Sequence, residues 1–313
     1  MSSSGSTRAI VAALVANGGI AVAKFTGFLI TGSAAMLAEA VHSVVDTSNQ
    51  SLLLFGQRAA TKPPDALHPF GYARSRYFWS FVVALVLFSL GSLFALYEGY
   101  EKFRHPVELT SPLVAIVILV MAILLETYSF RTALRESRPL KGQGSWFRFL
   151  HNSRNPELPV VLLEDAAALI GLVLALLAVG LSVLTGNPVW DSVGTLAIGV
   201  LLGVVAIFLM IEMHSLLIGE GATPAEDQAI RAALEQTANI SRLIHLRTQY
   251  FGPDEMLVGA KVAMPPELDL VAVAATIDVA EAAIRAAVPS VRVIYLEPDL
   301  DRAPVPDLLE QKG

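Results

Sequence analysis

Cysteine is absent from the 313 residues, which excludes disulfides, thiolate-bound zinc and a cysteine nucleophile. Charge is scarce as well: Asp, Glu, Lys and Arg make up 16% of the chain, whereas water-soluble domains carry about a quarter. The charge present nets −6, so the basic face that a nucleic-acid partner requires is missing. No Gly-x-x-x-x-Gly-Lys occurs to cradle a nucleotide phosphate, and no His-Glu-x-x-His marks a zinc peptidase. The opening run Met1-Ser-Ser-Ser-Gly-Ser-Thr-Arg8 has neither a charged n-region nor an Ala-x-Ala cleavage site, so the first apolar segment is expected to be retained. No internal repeat or low-complexity tract stands out.

Apolar residues fill the space left by these absences. They amount to 54% of the chain, with a mean hydropathy of +0.58. A helix crosses the ~30 Å of hydrocarbon with ~20 apolar residues. Six segments meet that requirement, at 9–31, 33–57, 78–100, 112–134, 158–183 and 189–216, and Thr31-Gly32-Ser33 joins the first two as a hairpin. Arginines and lysines concentrate in 58–77 and 131–157, whereas the connections 31–33 and 184–188 have none. By the positive-inside rule both basic connections are cytoplasmic, and an even number of spans places both termini there too.

Beyond residue 217 hydropathy falls. Thr223 is an N-cap candidate for a helix opening at Pro224. Residues 243–251 and 256–264 read as strands joined at Gly252-Pro253-Asp254, 269–287 as a helix, and 291–297 as a β-branched strand. The predicted fold is therefore an α-helical membrane protein of six spans plus a small cytoplasmic α-β-β-α-β domain. The divisions are 1–216 for the membrane domain, 217–301 for the α/β domain and 302–313 for a loose tail.

Ionisable groups inside a span are expensive unless they face a partner or a cavity, so each is a functional candidate. The second span holds Glu39, His42, Asp46 and Asn49 at spacings of 3, 4 and 3, which line one helical face. The fifth supplies Glu164 and Asp165. One imidazole and two or three carboxylates from two helices suit a tetrahedral zinc site. Adjacent helical residues diverge by ~100°, so one of the acidic pair is the inner ligand and the other a neighbour or proton carrier. Lys24 and Asn17, seven apart in the first span, can either contact that polar face or, for Lys24, snorkel outward. Glu126 and Asp191 read as solvated residues near helix ends.

The stretch Gly32-Ser-Ala-Ala-Met-Leu-Ala-Glu-Ala-Val-His42-Ser-Val-Val-Asp46-Thr-Ser-Asn49 resembles the second-span signature of the cation diffusion facilitator family. The loop His68-Pro-Phe-Gly-Tyr-Ala-Arg74 is similar to that family's His-Pro-Tyr-Gly-His-Gly-Lys/Arg loop. Leu246-Arg-Thr248, Gly252-Pro253 and Ile294-Tyr-Leu-Glu-Pro298-Asp resemble its cytoplasmic domain. The resemblance implies that His42, Asp46 and Asp165 bind the transported ion, with Glu164 added here. The family's fifth span usually carries His-x-x-x-Asp, but Val161 occupies the histidine position, as in the divergent branch that includes mitochondrial zinc transporters. Asp65 and His68 match a loop metal site, although Tyr72 replaces its second histidine. Ala260 and Tyr295 fall where regulatory zinc ligands are common, and His245 reads as a surface residue.

The expected function is secondary efflux of a divalent transition metal, zinc first, in exchange for protons. Manganese or iron(II) becomes a better candidate because carboxylate in place of imidazole hardens the site. A metal sensor without transport is the alternative, and enzymatic activity is not expected. No resident cofactor is expected. The partners implied are divalent cations, protons, the lipid bilayer and a second copy of the chain, with no nucleic acid. The setting expected from Ala and Leu richness is a bacterial inner membrane.

Overall fold

A computed structural model describes residues 2–31, 34–106, 111–142 and 144–301, with the side chains of 2–9, 13, 16, 28, 31, 34–39, 41 and 42 outside the description. The connection expected at 31–33 and the tail expected at 302–313 therefore fall almost wholly outside the described residues. The chain divides into two compact units, Met1–Ile218 and Gly219–Gly313.

The first unit contains the long helices α1 (Ser2–Thr31), α2 (Ala34–Ala60), α3 (Ser75–Arg104), α4 (Pro112–Lys141), α6 (Glu157–Thr185) and α7 (Val189–Ile218), with a short α5 (Trp146–Asn152) between α4 and α6. All but α2 are long and apolar enough to cross a membrane. Helix α2 has the length, but its polar stripe lowers its hydropathy. A helix is present at each of the six expected spans, and several run further than hydropathy suggested. Helix α4 continues to Lys141 rather than 134, and Arg131, Arg135 and Arg138 lie on it rather than in a loop. Part of the expected basic connection, Trp146–Asn152, also folds into α5, where the Ser145 hydroxyl accepts from the Arg148 N–H at 3.2 Å and caps the helix.

The helices close into a ring. Helix α1 packs on α2, α2 on α3, α3 on α7, α7 on α6, α6 on α4, and α4 back on α1. Helices α2 and α6 are thus not ring neighbours, and their polar residues meet inside the ring. In lipid no hydrophobic force drives helices together, so close backbone approach supplies much of the packing. A Cβ on Gly99 would lie 2.9 Å from the Leu196 backbone nitrogen, and one on Gly199 2.9 Å from that of Leu96. These glycines let α3 and α7 touch along their backbones, and the Ser92 hydroxyl donates across the contact to the Gly199 carbonyl at 2.8 Å. Ser92 lies where α3 widens to a π-helical register, Leu87–Leu93.

At one end of the ring Arg76 of α3 holds Glu157 of α6 with two hydrogen bonds, Nε to Oε1 at 2.5 Å and Nη2 to Oε2 at 2.7 Å. Both side chains are buried, and Tyr77 beside them donates to the Arg154 carbonyl at 3.2 Å. The α2–α3 loop and the segment preceding α6 consequently share one end of the bundle.

The second unit is α8 (Pro224–Glu235), β1 (Arg242–Gly252), β2 (Glu255–Met264), α9 (Leu270–Ala287) and β3 (Val291–Leu300). Strands β1 and β2 form an antiparallel hairpin, and β3 pairs in parallel with β2 after the α9 crossover. Met256, Val258, Ala260, Val262 and Met264 alternate along β2 and are buried under Ile230 and Leu234 of α8 and Ala280 and Ile284 of α9. Period 2 in the strand and period 3.6 in the helices thus meet in one core. Thr223 closes a capping box: its hydroxyl accepts from the Glu226 N–H, and the Glu226 carboxylate accepts from the Thr223 N–H at 2.8 Å. The α-β-β-α-β order is as expected from the sequence.

Candidate cation site in the membrane domain

Asp46 is the thirteenth residue of α2, and Asp165 the ninth of α6, about 12 Å into the helix at 1.5 Å per residue. Asp46, Asn49, Glu164 and Asp165 are all at most 5% exposed. The ring brings the second-span stripe and the fifth-span acidic pair together, as their spacing implied. The Asn49 amide donates to Glu164 Oε1 at 2.7 Å, and the Gln50 amide donates to Oε2 at 2.9 Å. Glu164 is therefore clamped by two neutral donors. Asp165 is arranged differently: its Oδ2 accepts from the Ser129 hydroxyl of α4 at 2.7 Å, while its Oδ1 is buried without a hydrogen bond. Of the acidic pair, Asp165 keeps an oxygen available and Glu164 does not, which separates an inner ligand from a neighbour.

The amide carbonyl oxygens of Asn49 and Gln50 are also buried without a hydrogen-bond partner. Such oxygens cost about 1–3 kcal/mol each when unsatisfied. A cation or a protonated carboxyl beside them would remove that cost. Among the described residues no three His, Cys, Asp or Glu side chains close a metal cage by themselves. His42, one turn before Asp46, is the imidazole named for this site. Its side chain and that of Glu39 lie outside the described residues.

A cavity opens beside this centre, with about 370 Å³ of atom-free space that includes some open to the exterior. Its polar lining is Asn17 and Lys24 of α1, Ser43 and Asp46 of α2 and Glu126 of α4; Ala167 and Gly171 of α6 form part of the apolar wall. The Lys24 ammonium donates to the Ser43 hydroxyl at 3.0 Å and is buried, so it contacts the second-span face rather than snorkelling to the interface. Glu126 is not a solvated residue near a helix end. It is the fifteenth of the 30 residues of α4 and is 2% exposed. Even in the expected span 112–134 it lies eight residues from the end, so its interior position does not depend on how far α4 continues. Asp191, by contrast, lies in the first turn of α7 and accepts from Lys102 at 3.3 Å. Gln50, Ser129 and Glu126 were missed as site residues. Gln50 adjoins Asn49 within the polar run Thr47-Ser-Asn-Gln-Ser51 of α2, which was the one available signal. Nothing in the sequence alone pairs Ser129 with Asp165.

The loop candidate is built otherwise. Asp65 Oδ1 accepts from the N–H groups of Leu67 and His68 at 3.0 and 2.7 Å, and Oδ2 accepts from the Tyr72 hydroxyl at 2.6 Å. The Tyr72 phenol, followed by the His68 N–H, holds the Asp65 carboxyl below its usual range, and Asp65 in turn pushes the Tyr72 phenol up. His68 Nδ1 lies 3.5 Å from Asp65 Oδ1, and its ring lies 4.4 Å from that of Tyr72. Both Asp65 oxygens are thus committed to the turn. In the second unit Ala260 is buried in the core, while Tyr295 and His245 are exposed.

Residues 10–218 match the family model described as the cation efflux transmembrane domain. The mouse protein named proton-coupled zinc antiporter SLC30A9, mitochondrial, is 36% identical over 77% of this chain and 43% of its own length. Metal tolerance protein C4 of Arabidopsis thaliana is 30% identical over 82% of this chain and 57% of its own. Zinc transporter ZitB of Pectobacterium atrosepticum is 32% identical over 38% of this chain and 36% of its own. The chain spans less than half the length of the SLC30A9 relatives it matches. A match across all six long helices shows that this integral membrane protein belongs to the cation efflux family, the cation diffusion facilitators.

Proposed function

We propose that the protein is a secondary active exporter of a divalent transition metal, zinc first, driven by exchange for protons. One observation carries this reading: Asp46, Glu126, Glu164 and Asp165 are buried in the middle of the helix ring, and Lys24 is the ammonium found with them among the described residues. Burying an ionised carboxylate costs several kcal/mol, so four buried acids, two of them lining one cavity with a single ammonium, need further positive charge. Protons and a dication can both supply it, and one excludes the other. Metal binds deprotonated carboxylates and neutral imidazole, so loading releases protons and protonation ejects metal. His42, Asp46 and Asp165 are the proposed ligands. Glu164 orients the second helix through Asn49 and Gln50.

The SLC30A9 relatives, named as zinc antiporters, and ZitB, named as a zinc transporter, support zinc among the candidates; manganese and iron(II) are the alternatives for a carboxylate-rich site. The same reading puts both termini in the cytoplasm of a bacterial inner membrane. The mitochondrial location in the relatives' names is the rival, to be decided by fractionation. It also takes the protein as a homodimer without enzymatic activity. Proteoliposomes containing a zinc indicator and a pH dye test the core of the proposal. A zinc gradient should drive opposite proton movement in the native protein and none in Asp46→Asn. Zinc binding without flux in the native protein would identify a sensor instead.

A further inference from the structure

We propose that Glu126 forms a second oxygen subsite for the divalent cation, beside the Asp46–Asp165 centre, and that the ion passes through it in transit. This rests on the transport reading above and adds a helix to it, since α4 supplies none of the ligands inferred from the second and fifth spans. Glu126 Oε1 is buried without a hydrogen-bond partner. The side chain lines the same cavity as Asp46, so the two carboxylates share a space that apolar side chains close on the α6 side. Asn17 adds a carboxamide to the lining. Carboxylate and amide oxygens are hard donors, suited to a dication that keeps part of its hydration. One helical turn further on, Ser129 holds Asp165. Residues three apart share a helical face, so one side of α4 serves the subsite and the primary ligand together.

Lys24 gives the subsite its transient character. Its ammonium occupies the cavity as a tethered cation, donating to Ser43 on the stripe that bears Asp46. An arriving dication shares the carboxylates with a fixed positive charge, which weakens its hold there. That suits a relay position better than a storage site.

The experiment uses the full chain in proteoliposomes for initial rates of zinc flux, and in detergent for calorimetric zinc binding. Glu126→Gln should slow flux by about tenfold and leave zinc affinity at the primary site within about threefold of native. Glu126→Asp, which keeps a carboxylate, should fall between the two in rate. Flux at the native rate in Glu126→Gln, or affinity falling in parallel with rate, overturns the subsite. If Glu126 only neutralises Lys24, the pair Lys24→Met with Glu126→Gln recovers the native rate, and that also overturns it. Should Glu126→Gln fail to fold, the double variant replaces it, with slow flux at retained affinity as the expected result. A native protein that carries no zinc refutes the transport reading itself. Native flux with an unaffected Glu126→Gln refutes the subsite alone.

Discussion

Two clusters in the membrane unit carry residues typical of metal ligands, and they differ in where the carboxylate lone pairs go. In the α2–α3 loop, Asp65 sits among backbone N–H groups and the Tyr72 hydroxyl, and half of its surface is open to water. In the ring interior, Asp165 and Glu126 each keep a buried oxygen with no hydrogen bond, and the amide carbonyls of Asn49 and Gln50 do the same. The loop acid is satisfied by the fold. The interior acids are left incomplete by the protein's own hydrogen-bond donors. Residue type alone does not distinguish a ligand from a turn residue; the local supply of hydrogen-bond donors does.

The largest effect that would sharpen this contrast is expected at Asp165. Asp165→Asn keeps shape and the Ser129 contact but removes the charge, and zinc affinity should fall by about 100-fold. Calorimetry at neutral pH measures it, and near-native affinity would place the ligand elsewhere. A smaller loss is expected where the clamp is removed. Asn49→Ala combined with Gln50→Ala should weaken zinc binding or flux by about tenfold, because Glu164 loses both of its positioning donors. An effect as large as that of Asp165→Asn would make Glu164 a direct ligand.

The smallest effect is expected in the loop. Asp65→Ala should leave flux within about twofold of native, since the turn already takes both carboxylate oxygens, while the amides of Leu67 and His68 lose their protection from exchange. The pH dependence follows from the two opposite shifts. Asp65 is held low, so its contacts persist above the ordinary carboxylate pKa of about 3.9 and disappear only as pH falls through its lower folded value. Tyr72 is pushed up, so its donated hydrogen bond is complete below about pH 10 and is lost above that. The protection factor of the Leu67 amide, its exchange rate relative to an unprotected amide at the same pH, should therefore be flat across the neutral range. A flux defect in Asp65→Ala as large as in the clamp variant would erase the difference between the clusters.

Much of the layout was legible because it rests on periodicities that tertiary structure does not override. Long apolar runs gave the six helices, and the spacing of Asp46 and Asn49 gave a polar face that does meet the fifth span. Thr223 followed by Glu226 gave a cap, and alternation along 256–264 gave a buried strand. Glu126 was misread as a residue near a helix end, although it lies eight residues short of 134 even in the expected span; the helix in fact continues through charged residues to Lys141. Gln50 and Ser129 escaped notice because an uncharged polar residue in a span indicates no particular chemistry until its partner is known.

Local composition and helical period, properties of the chain read along its length, determined which segments enter the lipid and which acids travel with them. The ring order, with α2 set across from α6 and α4 beside it, decided that Asn49 and Gln50 hold Glu164, that Ser129 holds Asp165, and that Glu126 shares a cavity with Asp46 and Lys24. Those pairings join residues from 36 to 115 positions apart in the chain. Only packing in three dimensions, where each buried polar atom either finds a partner or does not, can decide them.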